Sequence, residues 1–165
     1  TGCFRFANTT AKTLRAAAAL LDAGVDNGRI NTDIFETKSP GYIAFEKAAM
    51  NALTLTLGGK CAVLVLTQQM YKDAGITEAD TQGIKSLPRM IEGVYAGVTV
   101  TEQKDGTIHA SVRSKEPVNA AGICAAFGGG GHKYAAGCEL SSDRAVAVSS
   151  IVAVVEQKLR EAGLL

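Results

Sequence analysis

Cys61-Ala62-Val63-Leu64-Val65-Leu66 is a short, continuous apolar run bounded by glycines and polar residues. A run of that length and β-branched content predicts a strand buried on both faces. An α/β domain therefore begins at about residue 58. Upstream the period is helical. Asn8-Thr9-Thr10 offers an N-cap, Leu14, Ala17, Ala18 and Leu21 recur at helical spacing, and Gly24 closes the segment. A second helix is expected from about Asn27 to Thr37, burying Ile30, Ile34 and Phe35. Ser39-Pro40 sets proline at the first position of a third, whose Phe45, Ala49, Leu53 and Leu57 form one stripe up to Gly58.

Downstream, Thr77 to Met90 is polar with Pro88 inside it, and reads as one or two short helices with loops. The segments Val94 to Val100 and Thr107 to Arg113 flank Asp105-Gly106, the signature of a hairpin turn that accepts positive φ. Alternation puts Ile108, Ala110 and Val112 on one face of the second strand and His109, Ser111 and Arg113 on the other. A helix is expected from about Val118 to Phe127, another strand from Ala136 to Leu140, and a final helix capped by Asp143, with Val148, Ile151, Val152, Val155 and Leu159 on one face.

Between that helix and strand lies Phe127-Gly128-Gly129-Gly130-Gly131-His132-Lys133-Tyr134-Ala135-Ala136-Gly137. Four consecutive glycines carry a large ordering cost and admit a close approach to the backbone. With His132 and Lys133 beside them, the expected guest is an anion, most simply a phosphate, cradled by amides around Gly129 to Gly131. The spacing matches neither the phosphate-loop pattern nor Gly-x-Gly-x-x-Gly. Because these glycines follow a helix, its dipole opposes an anion there, so His132, Lys133 and Arg113 must outweigh it. An expected helix of ten residues would also carry the loop roughly 15 Å from Arg113, so a single site requires the loop to fold back.

The net charge is +1, so phosphate recognition must be local and not the work of a global basic field. Cys3, Cys61, Cys124 and Cys138 lack Cys-x-x-Cys spacing and sit in apolar or glycine-rich surroundings, which suits a reducing cytoplasm better than a disulfide framework or a zinc site. No uninterrupted apolar span of membrane length appears. Thr1-Gly2 opens directly onto the strand-like Cys3-Phe4-Arg5-Phe6, so the chain is expected to start inside an element of a longer protein.

Ala110-Ser111-Val112-Arg113-Ser114-Lys115, then Asn119, then Phe127 to Gly137 resembles the C-terminal substrate-binding domain of the DHH phosphoesterases. Thr1 to Thr10 resembles the end of that family's catalytic domain, where an Asp-Thr-Gly motif supplies a metal-binding carboxylate; Thr and Gly are present and Asp is not. Within that family the chain looks most like the small oligoribonuclease and 3′-phosphoadenosine-5′-phosphate phosphatase type. The resemblance implies an α/β fold, with connecting helices and the end of the catalytic domain over 1–57 and a mixed-sheet, DHH-associated domain over 58–165. It implies that manganese-activated water acts in the full-length protein and that the ligands lie upstream, leaving this portion without cofactor or catalytic residues. The expected partners are a short single-stranded RNA or DNA, or a small nucleotide, and the upstream DHH domain, with room for a homodimer.

The residues agree with that division of labour, because metal-assisted phosphoester cleavage needs clustered carboxylates and histidines that this sequence lacks. The candidate phosphate-binding residues are Arg113, whose guanidinium grips a phosphate in two places, Ser111 and Ser114 as hydroxyl donors, His132, Lys133, Gly129, Gly130 and Gly131, and Arg5 facing the cleft. The alternative is a non-catalytic nucleic-acid-binding module, of the kind that accompanies alanyl-tRNA synthetases.

Overall fold

The computed structural model describes Phe4, residues 8–140 and residues 143–165, with the side chain of Gln82 left aside. Arg5 and the Thr1-Gly2 pair lie outside these residues, and of the strand-like opening only Phe4 is described. The chain divides after Ser39 into two compact units.

The first unit holds α1 (Ala11–Asp22) and α2 (Asn27–Asn31), which runs on as one π turn over Thr32–Glu36. Thr10 caps α1 through a hydroxyl that accepts from the Thr13 amide. Ile30, Ile34 and Phe35 are exposed, not buried as expected. Two short helices cannot enclose a core by themselves.

The second unit opens with α3 (Pro40–Asn51), which ends before Leu53. Leu53 to Thr56 form strand β1 instead of continuing the helical stripe, and the alternation of leucine with β-branched threonine supplies the local reason. A 3₁₀ turn over Leu57–Gly59 leads into β2 (Cys61–Leu66), buried as predicted at all positions but Val65. Helix α4 (Gln68–Ala74), unforeseen, is capped by the Thr67 hydroxyl and closed by Gly75 at φ 64°. Two 3₁₀ segments, Glu78–Ser86 and Pro88–Met90, precede β3 (Ala96–Glu102) and β4 (Ile108–Ser114). Helix α5 is only Ala120–Ala125; β5 (Gly130–His132), β6 (Ala135–Leu140) and α6 (Arg144–Glu161), capped by Asp143, complete the unit.

The six strands form one mixed sheet in the order β1-β2-β3-β4-β6-β5, with β2 and β3 parallel and the other pairs antiparallel. One face carries the larger core, in which Val98, Val100, Ile108, Ala110 and Val112 meet Ile123 of α5 and Ala147, Ile151, Val155 and Leu159 of α6. Each large aliphatic side chain buried there contributes about 1.5–3 kcal/mol. On the opposite face, Leu64 and Leu66 of β2 meet Phe45, Ala49, Tyr71 and Ile84, with the Phe45 and Tyr71 rings stacked 4.6 Å apart. That second cover reaches β3, where the buried Thr99 hydroxyl donates to the Lys85 carbonyl at 3.3 Å. Beyond β3 the face changes character: His109, Glu139, Gly137, Gly130 and His132 are exposed there, and Ser111 and Arg113 are half-buried.

Candidate phosphate-binding face

The polar residues of β4 stand where the helical cover stops, which explains the alternation read from the sequence. The pairing register fixes what surrounds them. Arg113 pairs with Ala135, and Ala135 pairs with His132, so the three form one row across β4, β6 and β5. Residues paired in a row project to the same face, so Arg113 and His132 lie on one side of the sheet, two strand spacings or about 10 Å apart. The adjoining row is Ser111, Gly137 and Gly130. Arginine and histidine thus border a floor of alanine and glycine with almost no side chain above it.

The loop does fold back. Helix α5 is shorter than expected, and β5 returns as the edge strand beside β6, while the Ser114 amide donates to the Tyr134 carbonyl and the Ala120 amide to the Lys133 carbonyl. The four glycines divide by role. A Cβ on Gly129 would stand 2.3 Å from the Gly137 carbonyl oxygen and 2.4 Å from Cys138 Cβ, and Gly131, at φ 147°, would meet the Ala135 carbonyl at 2.7 Å. Both are required by packing alone. At Gly130, by contrast, nothing lies within 4 Å of where a Cβ would stand, and Gly130 belongs to the floor.

Several candidates are placed otherwise than expected. Ser114 is buried on the core side, where its hydroxyl donates to the Val118 carbonyl at 2.8 Å. Gly131 is paired with the buried Ala136, off the row that carries Arg113 and His132. The expected nest of amides is not formed: the Gly129 amide donates to the Cys124 carbonyl at the end of α5, and Gly130 to His132 are an extended strand. That capping also uses the carbonyls whose negative end was expected to oppose an anion. Lys133 sits in the turn after β5 with its ammonium 5.0 Å from the centre of the Tyr134 ring, and a hydrogen bond with the Tyr134 hydroxyl raises its pKa. Lys115 donates to the Ile91 carbonyl at 3.2 Å. The structure therefore gathers Arg113, Ser111, Gly130 and His132, and leaves Ser114, Gly129 and Gly131 as framework.

Beneath the loop, Cys124 and Cys138 are buried, and the hydrogen bond between the two thiols, together with burial, pushes Cys124 well above the ordinary thiol range, while the same bond lowers Cys138. Burial pushes Cys61 up to about 12. The raised thiols of Cys61 and Cys124 stay protonated and make poor metal ligands. Among the described residues no group of three or more His, Cys, Asp or Glu could hold a metal ion. These residues therefore do not fit a manganese centre, and no metal-dependent step is derived from them. A cavity of about 690 Å³ opens at the other end of β3, near the hairpin turn, lined by Tyr71, Lys72, Glu78, Lys104 and Asp105. Its mixed charges give no preference for an anion. No described helix is long and apolar enough to cross a membrane.

Sequence reading gave no role to Gly97. A glycine inside an otherwise apolar strand signals close backbone approach, and here the Pro88–Met90 turn crosses the sheet at that point, with the Arg89 amide nitrogen 2.6 Å from where a Gly97 Cβ would be.

The strand row that aligns arginine and histidine over a bare floor belongs to an α/β domain, and comparison with known proteins identifies its family. The model of the DHHA1 domain matches residues 58–161, and the chain belongs to that family. It is 35% identical over its whole length to the bifunctional oligoribonuclease and PAP phosphatase NrnA of Thermus thermophilus, and 29% identical over 86% of its length to the protein of that name from Bacillus subtilis. The chain covers 49% and 44% of those two proteins, so it spans about half the length of the curated relatives it matches. Its fold is shared with an exopolyphosphatase-related protein from Bacteroides fragilis, at a TM-score of 0.86 and 21% identity over 99% of this chain and 48% of that one.

Proposed function

We propose that the face formed by Arg113, Ser111, Gly130 and His132 holds the phosphate-bearing end of a short oligonucleotide, or of a small nucleotide such as 3′-phosphoadenosine-5′-phosphate. In this reading the chain is the substrate-binding part of a cytoplasmic, manganese-dependent phosphoesterase whose metal ligands lie outside it. The observation that carries the reading is the row Arg113–Ala135–His132, which sets two nitrogen-rich side chains on either side of an open floor. A guanidinium presents paired N–H donors to phosphate oxygens, an imidazole N–H adds a third, and the floor lets the sugar approach the backbone. The names of the relatives, which act on oligoribonucleotides and on PAP, support the substrate class.

The test is steady-state hydrolysis by the intact protein containing this chain, with Arg113→Ala and His132→Ala compared with the unaltered protein on a short oligoribonucleotide and on 3′-phosphoadenosine-5′-phosphate. Each variant is expected to raise KM while leaving manganese content unchanged. Unaltered kinetics in both variants would overturn the assignment.

A further inference from the structure

The face just described has a second arginine beside it. Gly97 pairs with Arg113 in the β3–β4 ladder, so a Cβ on Gly97 would project to the same side as Arg113. The Arg89 backbone nitrogen occupies that very space, 2.6 Å from the ideal Cβ position, so Arg89 is rooted on the Arg113 face one strand spacing away. Arg89 is half-buried, and its Nε is shielded from solvent without a hydrogen-bond partner. A buried donor left in that state is destabilising until something accepts from it. Among the described residues the ion pairs include neither Arg89 nor Arg113. Arg113 donates one Nη1 hydrogen bond to the Val112 carbonyl at 3.2 Å, so both arginines keep donors that an anionic guest could accept from.

From Gly97 through Arg113 and Ala135 to His132 the row crosses three strand spacings, roughly 14 Å. One phosphate cannot meet both ends of such a row. Arg113 and His132 flank one portion of it, and the Pro88–Met90 turn brings Arg89 to the other. We propose that Arg89 binds a second phosphate of the guest, next to the one held by Arg113 and His132, and so makes this face selective for substrates carrying two phosphate groups. The inference rests on the phosphate-binding reading of the face.

The experiment measures Kd by calorimetry for adenosine 3′,5′-bisphosphate and adenosine 5′-monophosphate on the intact protein, for the unaltered form and for Arg89→Ala and Arg113→Ala. Arg89→Ala is expected to weaken the bisphosphate about tenfold or more and the monophosphate less than about threefold, whereas Arg113→Ala weakens both. Because the ratio of the two affinities is read, a merely structural loss, which would move both together, counts against the proposal. If Arg89→Ala leaves both affinities unchanged while Arg113→Ala weakens them, the role of Arg89 falls and the phosphate-binding face stands; if Arg113→Ala has no effect, the face itself falls. Should Arg89→Ala fail to fold, Arg89→Gln and Arg89→Lys carry the test. Glutamine should abolish the preference for the bisphosphate and lysine should keep most of it; equal preference in the two variants would overturn the proposal.

Discussion

Arg113 and His132 are held in register by a single residue, Ala135, which pairs with Arg113 on one side and with His132 on the other. Nineteen positions separate them in sequence, yet the return of β5 leaves only one strand between them. Their alignment is a property of backbone pairing, so either side chain can be altered without moving the other.

Substituting Arg113 tests the charge and the fork separately. Arg113→Ala is expected to weaken nucleotide affinity by about 10- to 100-fold, matching the 1.5–3 kcal/mol of a hydrogen bond to a charged group. Arg113→Lys, which keeps the charge and loses the paired donors, should recover only part of it. Titration calorimetry with adenosine 5′-monophosphate reads both, and full recovery by lysine would argue against two-point contact.

Gly129 and Gly130 should respond in opposite ways to one added methyl group. Gly129→Ala forces a Cβ onto the Gly137 carbonyl and Cys138, and is expected to lose about 1–3 kcal/mol of stability in urea denaturation. Gly130→Ala meets no protein atom, so its midpoint should hold or rise while nucleotide affinity falls, because the methyl group stands on the floor. Unchanged affinity in Gly130→Ala would show that the guest does not reach β5.

The two serines flanking Arg113 should likewise separate. Ser114→Ala removes a buried hydroxyl that donates to the Val118 carbonyl and leaves that carbonyl short of a partner, a cost of about 1–3 kcal/mol in stability with KM unchanged. Ser111→Ala should raise KM with little change in stability. The reverse pattern would exchange the two faces of β4.

At the hairpin turn, Asp105 accepts from the Thr107 hydroxyl at 2.7 Å and the Thr107 amide at 3.0 Å, and these bonds lower its pKa, the hydroxyl contributing most. A folded-state pKa below the unfolded one means the contribution is present above the ordinary aspartate range and is lost as pH falls through the lowered value. Thr107→Val should move the Asp105 midpoint, followed by carboxyl NMR, upward toward that ordinary range. No movement would place the cause elsewhere.

Much of this was legible because local chemistry and tertiary role agree. The apolar run at Cys61 to Leu66, the Asp105-Gly106 turn and the caps at Thr10 and Asp143 each act through neighbours in sequence, and each formed as expected. Leu53 misled because leucines at helical spacing also fit a strand whose odd positions are leucine. The resemblance singled out Ser114 together with Arg113, but the pleat sends adjacent residues to opposite faces, and only the sheet shows which face is open. Gly129 and Gly131 drew attention as ligand-facing residues, whereas strand-to-strand packing demands them; that requirement comes from Gly137, Cys138 and Ala135 and is invisible at the glycines themselves. Arg89 left no trace in the pattern, since its place depends on a turn crossing the sheet at Gly97.

Strand β5 is three residues long, and two of them have no side chain, so it carries almost no hydrophobic code to say where along β6 it should settle. The close fit of Gly129 against Gly137 and Cys138 acts as the detent that stops it sliding. A shift by one residue would turn the imidazole inward and present bare main chain in its place. The alignment of Arg113 with His132 is thus delegated to the smallest residue near it, one that lies outside their row.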